Sequence, residues 1–178
     1  MKLIIRRAPL LLLGLAVLVP CAGESFLLVG EETVDGIRQT RPLASIEGIM
    51  AVVFESGQII FDTGALEVAV DWQTRNFSEP LALAVEGRAD YVMAARVDSR
   101  LIAESDESRS FSSRARYFLL DADAGMLKGS GELELSNLGQ EIEMPYPELQ
   151  YQLGTAVAHE LLRLWREGMD KERKINKS

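Results

Sequence analysis

Catalysis and metal binding need positioned bases, nucleophiles and ligands, and among its 178 residues this chain has one His (His159) and one Cys (Cys21). A His-based metal site would need several carboxylates gathered beside His159, and the adjacent Glu160 would point about 100° away from it on a helix. A hydroxyl nucleophile needs a base held against it, and no Ser stands in a nucleophile-elbow pattern that would engage His159. Asp121 and Asp123 begin like a D-x-D calcium loop, but Gly125 occupies the third acidic position. Their expected role is therefore to accept hydrogen bonds from backbone amides in a tight turn. Glu132 and Glu134 alternate along a strand pattern, which puts both on a solvated face rather than in an acid/base pair. Arg114 and Arg116 share one face of the preceding strand pattern, placed to pair with Glu132 or Glu134 across a hairpin. No catalytic residue, cofactor or metal ligand is assigned.

Trp72, Arg75 and Phe77 allow two readings. Two aromatics beside a Pro-containing turn are ordinary core material, yet aromatic and Arg residues together are also the chemistry of interaction hot spots. They are the candidate interaction residues.

The elements that must hold these groups can be read from the apolar pattern. Phe26-Leu27-Leu28-Val29 predicts a first strand leading into a breaker region from Gly30 to Gly36. Pro42 opens a helix in which Leu43, Ile46, Met50, Val53 and Phe54 recur at helical spacing until Gly57. Gln58 to Asp62 reads as a second strand, and Ala65 to Asn76 fits no single periodicity. Ser78 is placed to cap a short helix that ends at Gly87. Tyr91-Val92-Met93-Ala94-Ala95 is continuous apolar, as a central strand covered on both faces should be. The Ser-rich stretch from Glu104 to Ser113 reads as a hairpin connection, followed by a strand over Ala115–Leu120 and the turn at Asp121–Gly125. The next strand alternates, with Leu127, Gly129, Gly131, Leu133 and Leu135 on one face and Lys128, Ser130, Glu132 and Glu134 on the other. A long helix from about Pro147 to Gly168 carries Leu149, Leu153, Val157, Leu161, Leu164 and Trp165 on one stripe, with Gln152, Thr155, His159, Arg163 and Arg166 opposite. The expected fold is α/β (α+β): a mixed sheet with a C-terminal antiparallel meander, packed against two to three helices including a long C-terminal one.

Residues 1–23 precede this pattern. Lys2, Arg6 and Arg7 are followed by the apolar run Ala8–Val19 and then by Pro20-Cys21-Ala22-Gly23, the layout of a secretory signal. Three outcomes stay open: cleavage after Gly23, giving a soluble product; lipidation at Cys21, with Pro20 a poor residue before a lipoprotein cysteine; or an uncleaved anchor. The expected domain is 24–168, with a charged tail over 169–178 and no later stretch reaching the ~20 apolar residues of a spanning helix. Removing residues 1–23 takes away three basic residues and no acidic ones, which moves the formal net charge from −8 to −11. A chain this acidic, whose basic residues concentrate only at Lys171, Arg173, Lys174 and Lys177, has no face for neutralising phosphates. Nucleic acid is therefore excluded as a partner, and a membrane is reached only through a lipid on Cys21 or an uncleaved anchor.

Gly87-Arg88-Ala89-Asp90 running into Tyr91-Val92-Met93 resembles the "G-x-A-D, then apolar strand" passage of a bacterial envelope superfamily that includes CsgG, LpoB and the N-terminal domain of TolB. Tyr117–Gly125 resembles the strand-turn motif of the same group, "L-x-D-x-x-x-G", followed by a returning strand and a helix like Leu149–Trp165. The resemblance covers about residues 78–167. It implies an exported, non-enzymatic interaction or assembly module, periplasmic or associated with the outer membrane, whose partner is another envelope protein. The chain departs from CsgG in lacking long amphipathic strand pairs, so no pore is expected. The rival reading is a carrier of a small ligand or lipid, with a pocket of roughly 300 Å³ or more between the C-terminal helix and the sheet.

Overall fold

The computed structural model describes residues 23–40, 42–63, 68–104, 109–137 and 144–175. Nine elements follow in the order β1 (Ser25–Val34), β2 (Ile37–Arg38), α1 (Ala44–Glu55), β3 (Ile59–Asp62), α2 (Ser78–Gly87), β4 (Tyr91–Glu104), β5 (Arg109–Asp121), β6 (Met126–Ser136) and α3 (Tyr146–Ile175). The strands form one mixed six-stranded sheet ordered β2-β1-β4-β5-β6. β3 runs parallel to the first half of β1, on the edge that β2 occupies at Thr33 and Val34. β1 and β4 are parallel, and β4, β5 and β6 form an antiparallel meander. The α+β class, the meander and the long last helix are those read from the sequence.

Two apolar layers flank the sheet. Phe26 and Leu28 of β1 and Met93, Ala95 and Val97 of β4 face α1 and α3, together with Leu153, Val157 and Leu161 of α3. Leu27, Val29, Val92, Ala94, Phe118 and Leu120 point to the opposite face, where Trp72, Phe77 and Ala84 cover them. Burial on both faces is why β1 and β4 begin as continuous apolar runs. α1 and α3 approach so closely that Gly48 lies against the backbone of Tyr151 and Thr155, and Gly154 against the backbone of Ser45. α1 has no side-chain cap from its own N-cap residue; the buried Glu32 of β1 accepts the Ser45 amide at 2.7 Å instead. A carboxylate there satisfies an orphan donor and matches the positive end of the helix.

Several local expectations need correction. The Gly30–Gly36 region does not break β1, which continues to Val34 because Gly30 leaves room for the Ile46 side chain and Thr33 bonds to Asp98; the turn is confined to Asp35 and Gly36. Phe54 is on the outside of α1 rather than on its buried face. Ser78 is the first residue of α2 and not its cap, its amide being held by Asn76 Oδ1 at 3.0 Å. Arg88 rather than Gly87 turns left-handed to end that helix, and the Ala89 amide closes on the Ala84 carbonyl at 2.8 Å. Arg109–Ser113 belongs to β5, because Ser113 finds buried partners on β4 and α3. A register shift at Leu119/Leu120 leaves Lys128 unmatched and pairs Leu127 with Leu120, so Leu127 leaves the face shared by Gly129 and Leu133. Finally, α3 continues seven residues past Gly168, to Ile175.

Candidate functional site

β4 and β5 are longer than the cover on their second face. Trp72, Phe77 and α2 reach as far as Val29, Ala94 and Phe118, and beyond that line the alternating positions of β1, β4, β5 and β6 turn polar. Strand register fixes them as two rows. One row runs Glu31, Arg96, Arg116, Glu132, and the next Thr33, Asp98, Arg114, Glu134. All but Glu31, together with Asp35, Arg100 and Ser112, line an open groove of about 960 Å³.

The first row sets two arginines directly opposite each other, a repulsive arrangement on neighbouring strands. Asp98 in the second row neutralises it, accepting Arg96 Nε at 2.9 Å, Arg116 at 3.2 Å and the Thr33 hydroxyl at 2.8 Å. Arg96 also reaches Glu31 at 3.5 Å, and Arg114 bridges Glu132 at 3.1 Å and Glu134 at 3.4 Å. The hairpin pairing expected of Arg114 is present, whereas Arg116 turns to Asp98. Partial burial pushes the Asp98 carboxyl up, but the bonds from Thr33, Arg96 and Arg116 outweigh it and hold the group below its ordinary range. A carboxyl whose pKa is lower folded than unfolded stabilises the fold fully above its unfolded value of ~3.9 and loses that contribution as pH falls through the folded value. Asp98→Asn is therefore expected to cost about 1–2 kcal/mol at pH 7, a modest figure because solvent screens a partly exposed cluster. In thermal melts its Tm deficit against the parent should shrink below about pH 4; a deficit constant down to pH 2 would show that charge is not the cause.

The other face of the same strands carries a buried polar chain absent from the sequence reading. Ser99 and Ser113 share a hydrogen bond of 2.8 Å, Gln150 Nε2 donates to Ser113 at 2.7 Å, and the Tyr146 hydroxyl donates to Ser99 at 3.3 Å. Burial pushes the Tyr146 hydroxyl up; the Ser99 bond opposes this and the charge of Glu32 adds to it. The chain fixes the first turns of α3 on β4 and β5. Only Gln150 signals it in the sequence, as a polar residue one position after Leu149 on an otherwise apolar stripe.

Trp72 and Phe77 are each only 6% exposed and meet edge to face with ring centroids 6.1 Å apart; both also pack on Phe118. Arg75 is exposed, left-handed at φ 56, and its guanidinium lies 5.7 Å from the centre of the Phe118 ring. Phe118 follows Arg116 by two along β5, so Arg75 stands at the border between the covered and open halves of the face. Asp71 holds the turn, accepting the amides of Gln73 and Thr74.

His159 is exposed on α3, and its neighbour Glu160 is engaged by Arg163 at 2.8 Å. Asp121 accepts the Ala124 amide at 2.9 Å and pairs with Lys128 at 3.1 Å, which is the turn role expected of it. Among the described residues no three His, Cys, Asp or Glu side chains cluster as metal ligands, and no helix is long and apolar enough to cross a membrane. Cys21 lies outside the described residues. Between α3 and the sheet the side chains of Tyr91, Leu119, Leu164 and Trp165 leave a crevice of about 10 Å³.

No protein-family model matches the sequence, and comparison with characterised proteins finds no match. Solved structures do match. A PelC dodecamer from Paraburkholderia phytofirmans superimposes with TM-score 0.51 at 14% identity, over 76% of this chain and 86% of that one. Lipoprotein GNA1162 from Neisseria meningitidis gives 0.43 at 16% identity over 79% and 99%, and the LpoB C-terminal domain from Salmonella enterica 0.33 at 9% over 64% and 82%. At 14% identity the likeness to PelC shows the fold alone.

Proposed function

We propose that the chain is an exported, non-enzymatic envelope protein that works as an interaction or assembly module, and that it docks another envelope protein on the open half of its sheet. The observation that carries this is the groove bounded by Arg96, Asp98, Arg114, Arg116, Glu132 and Glu134, where neighbouring strands hold both signs of charge around an open volume of about 960 Å³. Paired charges on fixed backbone select a partner by complementarity more than they add raw affinity. Arg75 borders the groove, and Trp72 and Phe77 act beneath it as the posts that hold the turn in place. The leader-like residues 1–23 support export, and lipidation of Cys21 would keep the module on a membrane. Both signs of charge across the groove argue against nucleic acid.

The carrier reading finds little support. It needs roughly 300 Å³ of apolar cavity between α3 and the sheet, and the crevice at Tyr91, Leu119, Leu164 and Trp165 holds about 10 Å³.

A photo-crosslinker placed at Arg100 or at Ser112 in the full-length chain, in cells, tests the proposal. One dominant protein should be captured from both positions and none from Gln152 or His159 on the exposed side of α3. Equal capture from the groove and from α3, or none from either, would refute it.

A further inference from the structure

Among the described residues, four of the eight exposed large apolar side chains, Phe54, Ile59, Met126 and Leu127, gather at one end of the sheet. Register places Ile60 beside Phe26, Phe26 beside Tyr91, Tyr91 beside Asp121 and Asp121 beside Met126, a single row across five strands, with the paired Ser25 and Ile59 one position nearer the end of the sheet. Phe54 and Ile59, which are 75% and 56% exposed, stand at one corner of that row, joined by the turn at Gly57. Met126, 60% exposed, and Leu127 stand at the other corner. From β3 to β6 is four strand spacings, about 19 Å. Exposed apolar side chains scattered singly need no explanation, but four at two corners of one end do.

The chain leaves the fold at this same end. Gly23 lies against Gly57 and Gln58, and the Glu24 carbonyl accepts the Ile59 amide at 3.1 Å. Cys21 is two residues away, a reach of about 7 Å, and the apolar run ending at Val19 is four away, about 14 Å. Whichever of the two stays in a membrane, the bilayer surface comes within one or two side-chain lengths of Phe54 and Ile59. A planar occupant meets both corners at once.

We infer that this end of the domain is seated on a lipid bilayer, with Phe54, Ile59, Met126 and Leu127 inserted among the headgroups. The inference rests on the export reading, with residues 1–22 leaving the chain attached to the membrane. Exposed residues of both signs, Arg88, Asp90 and Asp123, lie between the corners, so the contact is made by apolar insertion and not by attraction to anionic lipid. Attached this way, the opposite end of the sheet, with the groove, faces away from the membrane.

The full-length chain carrying Phe54→Trp, purified from membranes and reconstituted in phosphatidylethanolamine–phosphatidylglycerol vesicles with brominated acyl chains, tests the seating. Ile37→Trp, at the far end of β1 and as exposed as Phe54, is the comparison. After subtraction of the signal from Trp72 and Trp165, Trp emission at position 54 should fall about twofold or more, and at position 37 it should not change. Equal quenching at both positions, or none at 54, overturns the inference, as does shielding of position 54 from lipid and from aqueous quencher alike by a second copy. Mass analysis of the N-terminal peptide separates the premises. A free chain beginning at Glu24 overturns the seating and leaves export standing, and an intact residue 1 in the cytoplasm overturns both.

Discussion

Gly154→Ala should lower the melting temperature by about 6–12 °C, while Gly168→Ala, in the same helix, should raise it slightly. A Cβ at position 154 would collide with the carbonyl oxygen of Ser45 and lie 2.7 Å from its carbonyl carbon. Those are backbone atoms of α1, so no rotamer change relieves the clash; the two helices must separate along a contact that also includes Gly48 against Tyr151. Overpacking of a tight core costs about 1–3 kcal/mol, and an immovable backbone neighbour puts this case at the upper end, ~3 kcal/mol. At ~2–4 °C per kcal/mol for a domain of this size, the stated shift follows. Position 168 has no neighbour within 4 Å, so Ala there only removes the entropic cost of a helical Gly, about 0.5–1 kcal/mol. Melts of the two variants beside the parent decide the matter. Equal and small shifts would mean that α1 and α3 are not in backbone contact.

That crossing could not have been read from the sequence. The stripe Leu149, Leu153, Val157, Leu161 announces a buried face, since apolar periodicity is local information, but nothing local says which turn of α3 meets which turn of α1. The same division runs through the charged face. Arg114 and Glu134 are joined by a short turn at Asp121–Gly125, so their pairing followed from the hairpin alone. Asp98 reaches them through the β4–β5 register, and Thr33 and Glu31 through the parallel pairing of β1 with β4, a contact between residues 65 apart in sequence. The groove therefore became visible only with the register. Ala65–Asn76 fits no period for a different reason: among its described residues the order comes from Trp72 packed on Phe77, an Asp-held turn and the Asp71–Asn76 bridge, none of which has a period. β5 reads too short in the sequence because four of its first five residues are polar, and polarity at Ser113 reflects burial among hydroxyl and amide partners rather than solvent.

Trp72→Ala and Arg75→Ala should separate packing from recognition in that turn. Truncating a buried Trp leaves a cavity against Phe77 and Phe118, and such changes cost about 3–5 kcal/mol, or at least about 6 °C in Tm here. Phe77 and Phe118 cannot close the gap without moving the turn, because Asp71 and Asn76 pin its two ends with hydrogen bonds of 3.0 and 3.3 Å. Arg75 is exposed and loses only its position over the Phe118 ring, worth about 0.5–1 kcal/mol, and Ala keeps the left-handed backbone strain unchanged. Its melt should stay within about 4 °C of the parent. Partner capture from a crosslinker at Arg100 reads the other property. Arg75→Ala should weaken that capture with the fold intact, since it removes a cation from the border of the groove, and Trp72→Ala should weaken it only as far as the fold itself is lost. The reverse pattern, with Trp72→Ala as stable as the parent but silent in crosslinking, would make the indole a contact residue and remove the basis for placing it beneath the surface.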